Sequence, residues 1–191
     1  MRRAFACFLF LTVPVLLHAG AAAAETGFQF STINLRAPDD PDVGGVRLSL
    51  LHGKNRSVRG LDWGILSLSE TGNLTGVALV CGVAKLTGDL KGGASFSLIN
   101  MHSGRDTGMN GAFINILNNP SQAFNVAFIG VADGKTLIDL GGVNVSDASN
   151  VQLGFVNVTR RIENFQFGFL NIAENGFLPV FPVINFPKPG N

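Results

Sequence analysis

Beyond its first two dozen residues the chain carries two histidines, His52 and His102, and one cysteine, Cys81. Carboxylates are scattered, with a small cluster at Asp39, Asp40 and Asp42. A histidine beside an aspartate is a general base, so a hydrolase built on His52 or His102 is the first chemistry to weigh. Both histidines fall where an apolar alternation gives way to a polar connector, the ordinary place for a solvated side chain. Asp39, Asp40 and Asp42 offer hard oxygens to a cation such as calcium, but the stretch RAPDDPDV lacks the EF-hand spacing and its closing glutamate. A proline-bounded surface loop is the simpler expectation there. Arg47, Asp62 and Asp139 alternate onto the polar side of their segments, which in a β-barrel would make an ion-pair network in the lumen. Cys81 sits among apolar residues and reads as a small hydrophobe. No G-x-S-x-G, Walker loop, CxxC or HExxH occurs. The sequence thus assigns no catalytic residue, no cofactor-binding residue and no metal ligand, and the expectation is a protein that is not an enzyme.

The elements that position these residues repeat. Val151-Gln152-Leu153-Gly154-Phe155-Val156-Asn157-Val158 returns 14 residues later as Phe165-Gln166-Phe167-Gly168-Phe169-Leu170-Asn171-Ile172. Read with period two, one side carries Val151, Leu153 and Phe155 and closes on Asn157. The other carries Gln152, Gly154, Val156 and Val158. Looser copies lead to Asn34, His52, Ser67, Asn100, Asn118 and Asn144, separated by polar connectors such as HGKNRSVR (52–59) and HSGRDT (102–107). Phe177–Phe186 is apolar but holds Pro179 and Pro182, each of which removes a ladder donor, so it reads as an edge or cap.

Arg2 and Arg3, the apolar run 4–17 and Ala22-Ala23-Ala24 have the form of a secretory signal peptide over residues 1–24. The remainder divides into a repeat-built β domain, 25–176, and a proline-containing terminal segment, 177–191. Lys plus Arg total 14 against 13 Asp plus Glu, and removal of the leader takes two of the arginines, so no basic field exists to hold nucleic acid. With 24 Gly, 16 Phe, no Tyr and only 14% charged residues, the exported chain reads as all-β.

Two architectures keep the apolar side from water. In an antiparallel transmembrane β-barrel of about 10–12 short strands, the apolar side meets lipid and the polar side lines a narrow lumen. In a parallel β-solenoid, the apolar side packs inward and the asparagines stack as a ladder. The export signal, low charge and strand length favour the barrel. The missing tyrosines, and a repeat unit with a direction, favour the solenoid.

The two closest copies, Val151–Val158 and Phe165–Ile172, resemble the G-Φ-Q-Φ-G-Φ-Φ-N units of exported bacterial surface-repeat proteins. Asn175–Phe186 resembles their endings. That resemblance implies a Gram-negative envelope location and supplies no catalytic residues. The resulting expectation is a small outer-membrane barrel in contact with outer-membrane lipid, with a structural or surface-interaction role and no cofactor. The alternative is a secreted solenoid, periplasmic or extracellular, that acts as a binding module.

Overall fold

The computed structural model of the protein describes residues 25–118 and 121–189; the leader expected over 1–24 lies outside the described residues. Extended backbone persists for 45 residues in β3 (Asp42–Leu86) and 53 residues in β6 (Ser121–Ala173). A straight strand of 45 residues would be about 150 Å long at roughly 3.3 Å per residue, far beyond a domain of this size, so the chain must wind. The pairings show that it does. β1 (Thr26–Thr32) lies parallel to β3, β3 to β4 (Ala94–His102), β4 to β5 (Met109–Leu117), and β5 to β6. Partners are one coil apart in sequence: Phe30 with Leu48, Ser95 with Asn110, Asn110 with Asn125. The start of β3 pairs with β1 and its end with β4, so β3 itself passes through successive coils.

This is a parallel β-solenoid, and it corrects the expected antiparallel barrel. Among the described residues antiparallel pairing occurs only at the ends, where β2 (Leu35–Ala37) pairs with Phe30–Thr32 of β1 and β7 (Val180–Asn185) pairs with the last turn of β6. The sheet order runs from β2 to β7 without closing into a ring. Spanning strands are also ruled out by length. Gln166 and Asn171 both point inward five residues apart, so the alternation changes phase at a corner near Phe169 and Leu170. The straight run Phe165–Phe169 is about 13 Å at 3.3 Å per residue, against a hydrocarbon core of about 30 Å. Placement in the outer membrane rested on a closed barrel of spanning strands and falls with it; a solenoid fits the periplasmic or extracellular alternative.

A second correction concerns the solenoid as expected. The apolar side does not pack inward: Phe155, Phe167 and Phe169 face outward, while Gln152, Asn157, Gln166 and Asn171 are completely buried. The corner explains why Asn157 leaves the side it shares with Phe155 in a strict alternation. One extra outward residue, Val156, reverses the phase.

Glycine makes the tight winding possible. At one corner Gly45, Gly60, Gly76, Gly93 and Gly108 stack coil upon coil, and a Cβ on Gly76 would lie 2.1 Å from the Gly60 carbonyl oxygen. Gly60 and Gly76 also hold φ of +130° and +129°, a region L-residues rarely occupy.

Candidate contact surface and the buried polar core

Inward-facing side chains form columns along the solenoid axis. One runs through Gln29, Arg47, Asp62, Ala78, Ser95, Asn110, Asn125, Asp139, Gln152 and Gln166, and most of its members are polar and buried. Amide hydrogen bonds link its members: Asn110 Nδ2 donates to Asn125 Oδ1 at 3.1 Å, Asn125 Nδ2 to Asp139 Oδ1 at 2.9 Å, and Gln166 Nε2 to Gln152 Oε1 at 2.7 Å, while Gln29 Oε1, Asn110 Oδ1 and Gln166 Oε1 are buried without a partner. A second column carries the asparagine ladder, with Asn100 donating to Asn115 at 3.0 Å, Asn144 to Asn157 at 2.9 Å and Asn157 to Asn171 at 2.8 Å. An amide donates and accepts in line, so identical amides stacked at the coil spacing leave few orphan groups. Apolar burial is concentrated in the earlier coils, in the cluster Val43, Val58, Leu74, Ala78, Val80, Ala84, Leu86 and Leu90.

No barrel lumen exists to hold the expected network of Arg47, Asp62 and Asp139; inside the solenoid only Arg47 and Asp62 pair. Arg47, with no exposure, donates from Nε to Asp62 Oδ1 at 2.8 Å and from Nη2 to Asp62 Oδ2. Its remaining donors reach Asn55 Oδ1 at 3.0 Å, Thr71 Oγ1 at 2.7 Å, the Glu70 carbonyl at 3.2 Å and Ser69 Oγ. Asp139 stands in another coil with no cation against it. It accepts from Asn125, Thr136 and Ser149. Burial pushes its carboxyl above the usual carboxylate range, and the Thr136, Asn125 and Ser149 hydrogen bonds offset this only in part.

The histidines are kept apart. His102 is inside, stacked in its column between Leu86 and Leu117, with Nδ1 2.8 Å from Asp106 Oδ2. Asn110 Nδ2 donates to the same Asp106 oxygen at 2.8 Å. This is a buried dyad with no route for a substrate, and it replaces the solvated junction expected for His102. His52 is half-buried beside a shallow cleft at the N-terminal end, lined by Ser31, Asn34, Arg36, Asp39 and Lys54. The aspartates of the 39–42 loop face different partners: Arg36 binds Asp39, Asp40 Oδ1 accepts from the Asp42 amide, and Arg56 and Ser57 bind Asp42. The Arg56 guanidinium holds Asp42 below the usual carboxylate range. Among the described residues no group of three or more His, Cys, Asp or Glu is placed to hold a metal ion.

The outer surface is where the molecule departs most from an ordinary soluble domain. Apolar rows run along the axis: Val77, Ala94, Met109 and Phe124 in register, then Ile99, Ile114 and Ile129, then Met101, Ile116 and Val131. At the corner between rows the aromatic rings stack from coil to coil. Phe113 and Phe128 lie 5.1 Å apart at 10°, and Phe155 and Phe169 lie 5.1 Å apart at 4°. These four rings are 57%, 58%, 64% and 71% exposed. Trp63 and Cys81 belong to the same wall, and Cys81 is an exposed free thiol. Lys135 meets Glu163 and Arg160 meets Asp147 away from these rows, whereas Lys54 and Lys85 flank Glu70 at the N-terminal end of the third row, where Lys85 stands in register with Met101.

The sequence reading identified the two sides of the strand and placed Arg47, Asp62 and Asp139 together on the polar one. It did not identify the wall as the outside of a solenoid, although the regular recurrence of glycine at 45, 60, 76, 93 and 108 was a visible sign of equivalent parallel coils. Comparison of the chain with protein-family models, with curated proteins and with solved structures finds no match in any of the three.

Proposed function

We propose that the protein is an exported β-solenoid that works as a binding or structural module rather than an enzyme, with the apolar wall as its contact surface. The observation that carries this reading is the wall itself. The outward rows through Val77, Ile99 and Met101 and the stacked rings Phe113, Phe128, Phe155 and Phe169 are apolar, and Lys85 brings charge only to the N-terminal end of the Met101 row. Contiguous apolar surface beyond a few hundred Å² marks an interaction site in a folded protein. The reading also draws support from the burial of His102, which leaves its dyad with Asp106 a structural role, and from the resemblance of Val151–Ile172 to exported surface-repeat proteins. A periplasmic or extracellular location accords with the signal-like leader.

Sedimentation with and without detergent tests it, comparing the protein with a Phe155→Ser/Phe169→Ser variant. The expected result is association of the wild-type chain without detergent, relieved in the variant, with both retaining the same β circular dichroism. A wild-type protein that stays monomeric at high concentration and adsorbs to no apolar matrix would overturn the reading.

A further inference from the structure

We infer that the interior binds a single water molecule beside Gly130, where the water does the work of an asparagine side chain and joins two stretches of the ladder. The ladder climbs coil by coil through Asn100 and Asn115, and again through Asn144, Asn157 and Asn171. Between Asn115 and Asn144 it crosses a coil with glycine at that position. Asn115 stands in register with Gly130, and a Cβ on Gly130 would lie 3.7 Å from Asn144 Oδ1. The rungs share one direction: Asn100, Asn144 and Asn157 each donate from Nδ2 to the Oδ1 of the next rung. Asn115 Nδ2 turns the same way, toward the Val126 carbonyl of the following coil. The coil of Gly130 is therefore met by a donor from one side and an acceptor from the other.

Both groups are poorly served by the protein. Joined rungs bond at 2.8 to 3.0 Å, whereas Asn115 Nδ2 reaches only the Asn110 and Val126 carbonyls, each at 3.4 Å, beyond the usual range for an amide donor. Asn144 Oδ1 lacks the amide donor that Asn157 and Asn171 receive from the coil before them. Between the two lies a cavity lined by Asn115, Asn125, Gly130, Asp139 and Asn144 together with apolar side chains. The volume open to a water's centre is about 10 Å³, room for one molecule. Cavities with apolar walls stay dry, but buried polar groups with bonds to make hold water, which takes two to four of them. A water accepts from Asn115 and donates to Asn144, the two roles of a ladder amide. A cation suits the place less well. Asn115 presents N–H groups to it, and Asp139 already receives Asn125 at one oxygen and Thr136 and Ser149 at the other.

Position 130 supplies the test, because its glycine is not needed for space: the atoms nearest an added Cβ lie at 3.7 and 3.9 Å, ordinary contact distances. Gly130→Ala puts a methyl group into the cavity and offers no hydrogen bond. In a dry cavity that change would raise the folding equilibrium constant about two- to fivefold, through the unfolded chain alone. With a water bridge it should lower the constant about fivefold or more, because two buried polar groups lose their partner. Gly130→Asn supplies the ladder amide itself and should be at least as stable as the wild type. Urea unfolding measures both. Oxygen-17 magnetic relaxation dispersion counts long-lived internal waters and should register one fewer in each variant than in the wild type. An unchanged count in Gly130→Ala would overturn the water whatever that variant's stability, and a Gly130→Ala protein more stable than the wild type would mark the cavity as dry. A wild-type midpoint that rises when sodium or potassium replaces choline at constant ionic strength, and no longer does so in Gly130→Ala, would overturn the water in favour of a cation.

Discussion

Asp62→Asn offers a sharp test of the inverted interior. Arg47 is wholly buried and Asp62 is 2% exposed. The substitution keeps the size of the side chain and one acceptor but removes the charge that balances the guanidinium. Breaking a buried pair by deleting one charge costs about 3–5 kcal/mol, because the survivor stays desolvated and uncompensated. Asn55, Thr71 and the Glu70 carbonyl still accept from Arg47, which places the expected loss at the low end, about 3 kcal/mol. For a chain of this length that lowers Tm by about 6–12 °C. Urea unfolding followed by far-ultraviolet circular dichroism measures it. Arg47→Met combined with Asp62→Leu should recover most of the loss, because the uncompensated charge is gone. Asp42→Asn, which breaks the exposed Arg56 pair, should shift the midpoint much less. An Asp62→Asn protein as stable as the wild type would mean that Arg47 is solvated, and the polar-core account would fail with it.

Two further substitutions probe the same interior. The raised pKa of Asp139 means that its favourable contribution is complete below the ordinary carboxylate value near 3.8 and is lost as pH rises through the higher folded value. Asp139→Asn should therefore be more stable than the wild type at neutral pH, with the advantage vanishing below about pH 4; a constant difference across a pH series of unfolding curves would refute the assignment. Gly76→Ala adds a Cβ 2.1 Å from the Gly60 carbonyl at a φ of +129°, and should cost about 3 kcal/mol or prevent folding. Wild-type stability in that variant would show that the glycine column is not closely stacked.

Much of the architecture was legible from residue types alone. The alternation separated Gln152 and Gln166 from Phe155 and Phe169, and put Arg47 and Asp62 on the polar side. Pro179 and Pro182 marked the terminal segment as unfit for a central strand; β7 ends the sheet order. What alternation cannot supply is direction. It states which residues share a side, and the same small polar side suits a barrel lumen or a solenoid interior. The usual preference for apolar residues inside then misassigned the solenoid alternative. That preference yields here because stacked amides such as Asn144, Asn157 and Asn171 satisfy one another and leave the phenylalanines no interior to fill. His102 was misplaced for a related reason. A polar residue before HSGRDT looks like the start of a solvated loop, but the inward column continues through it to Asp106.

The central claim is that successive coils run parallel with their apolar side chains stacked on the outside. Oxidative cross-linking of a Phe155→Cys/Phe169→Cys pair, in a Cys81→Ser background, tests it most directly. The two rings stack 5.1 Å apart on adjacent coils, and in-register parallel strands bring the α-carbons within about 5 Å, inside disulfide range. The account predicts rapid, near-complete closure of an intramolecular disulfide in the folded protein. Failure of that pair to close, with efficient closure instead between positions facing each other in an antiparallel hairpin, such as 158 and 165, would contradict it.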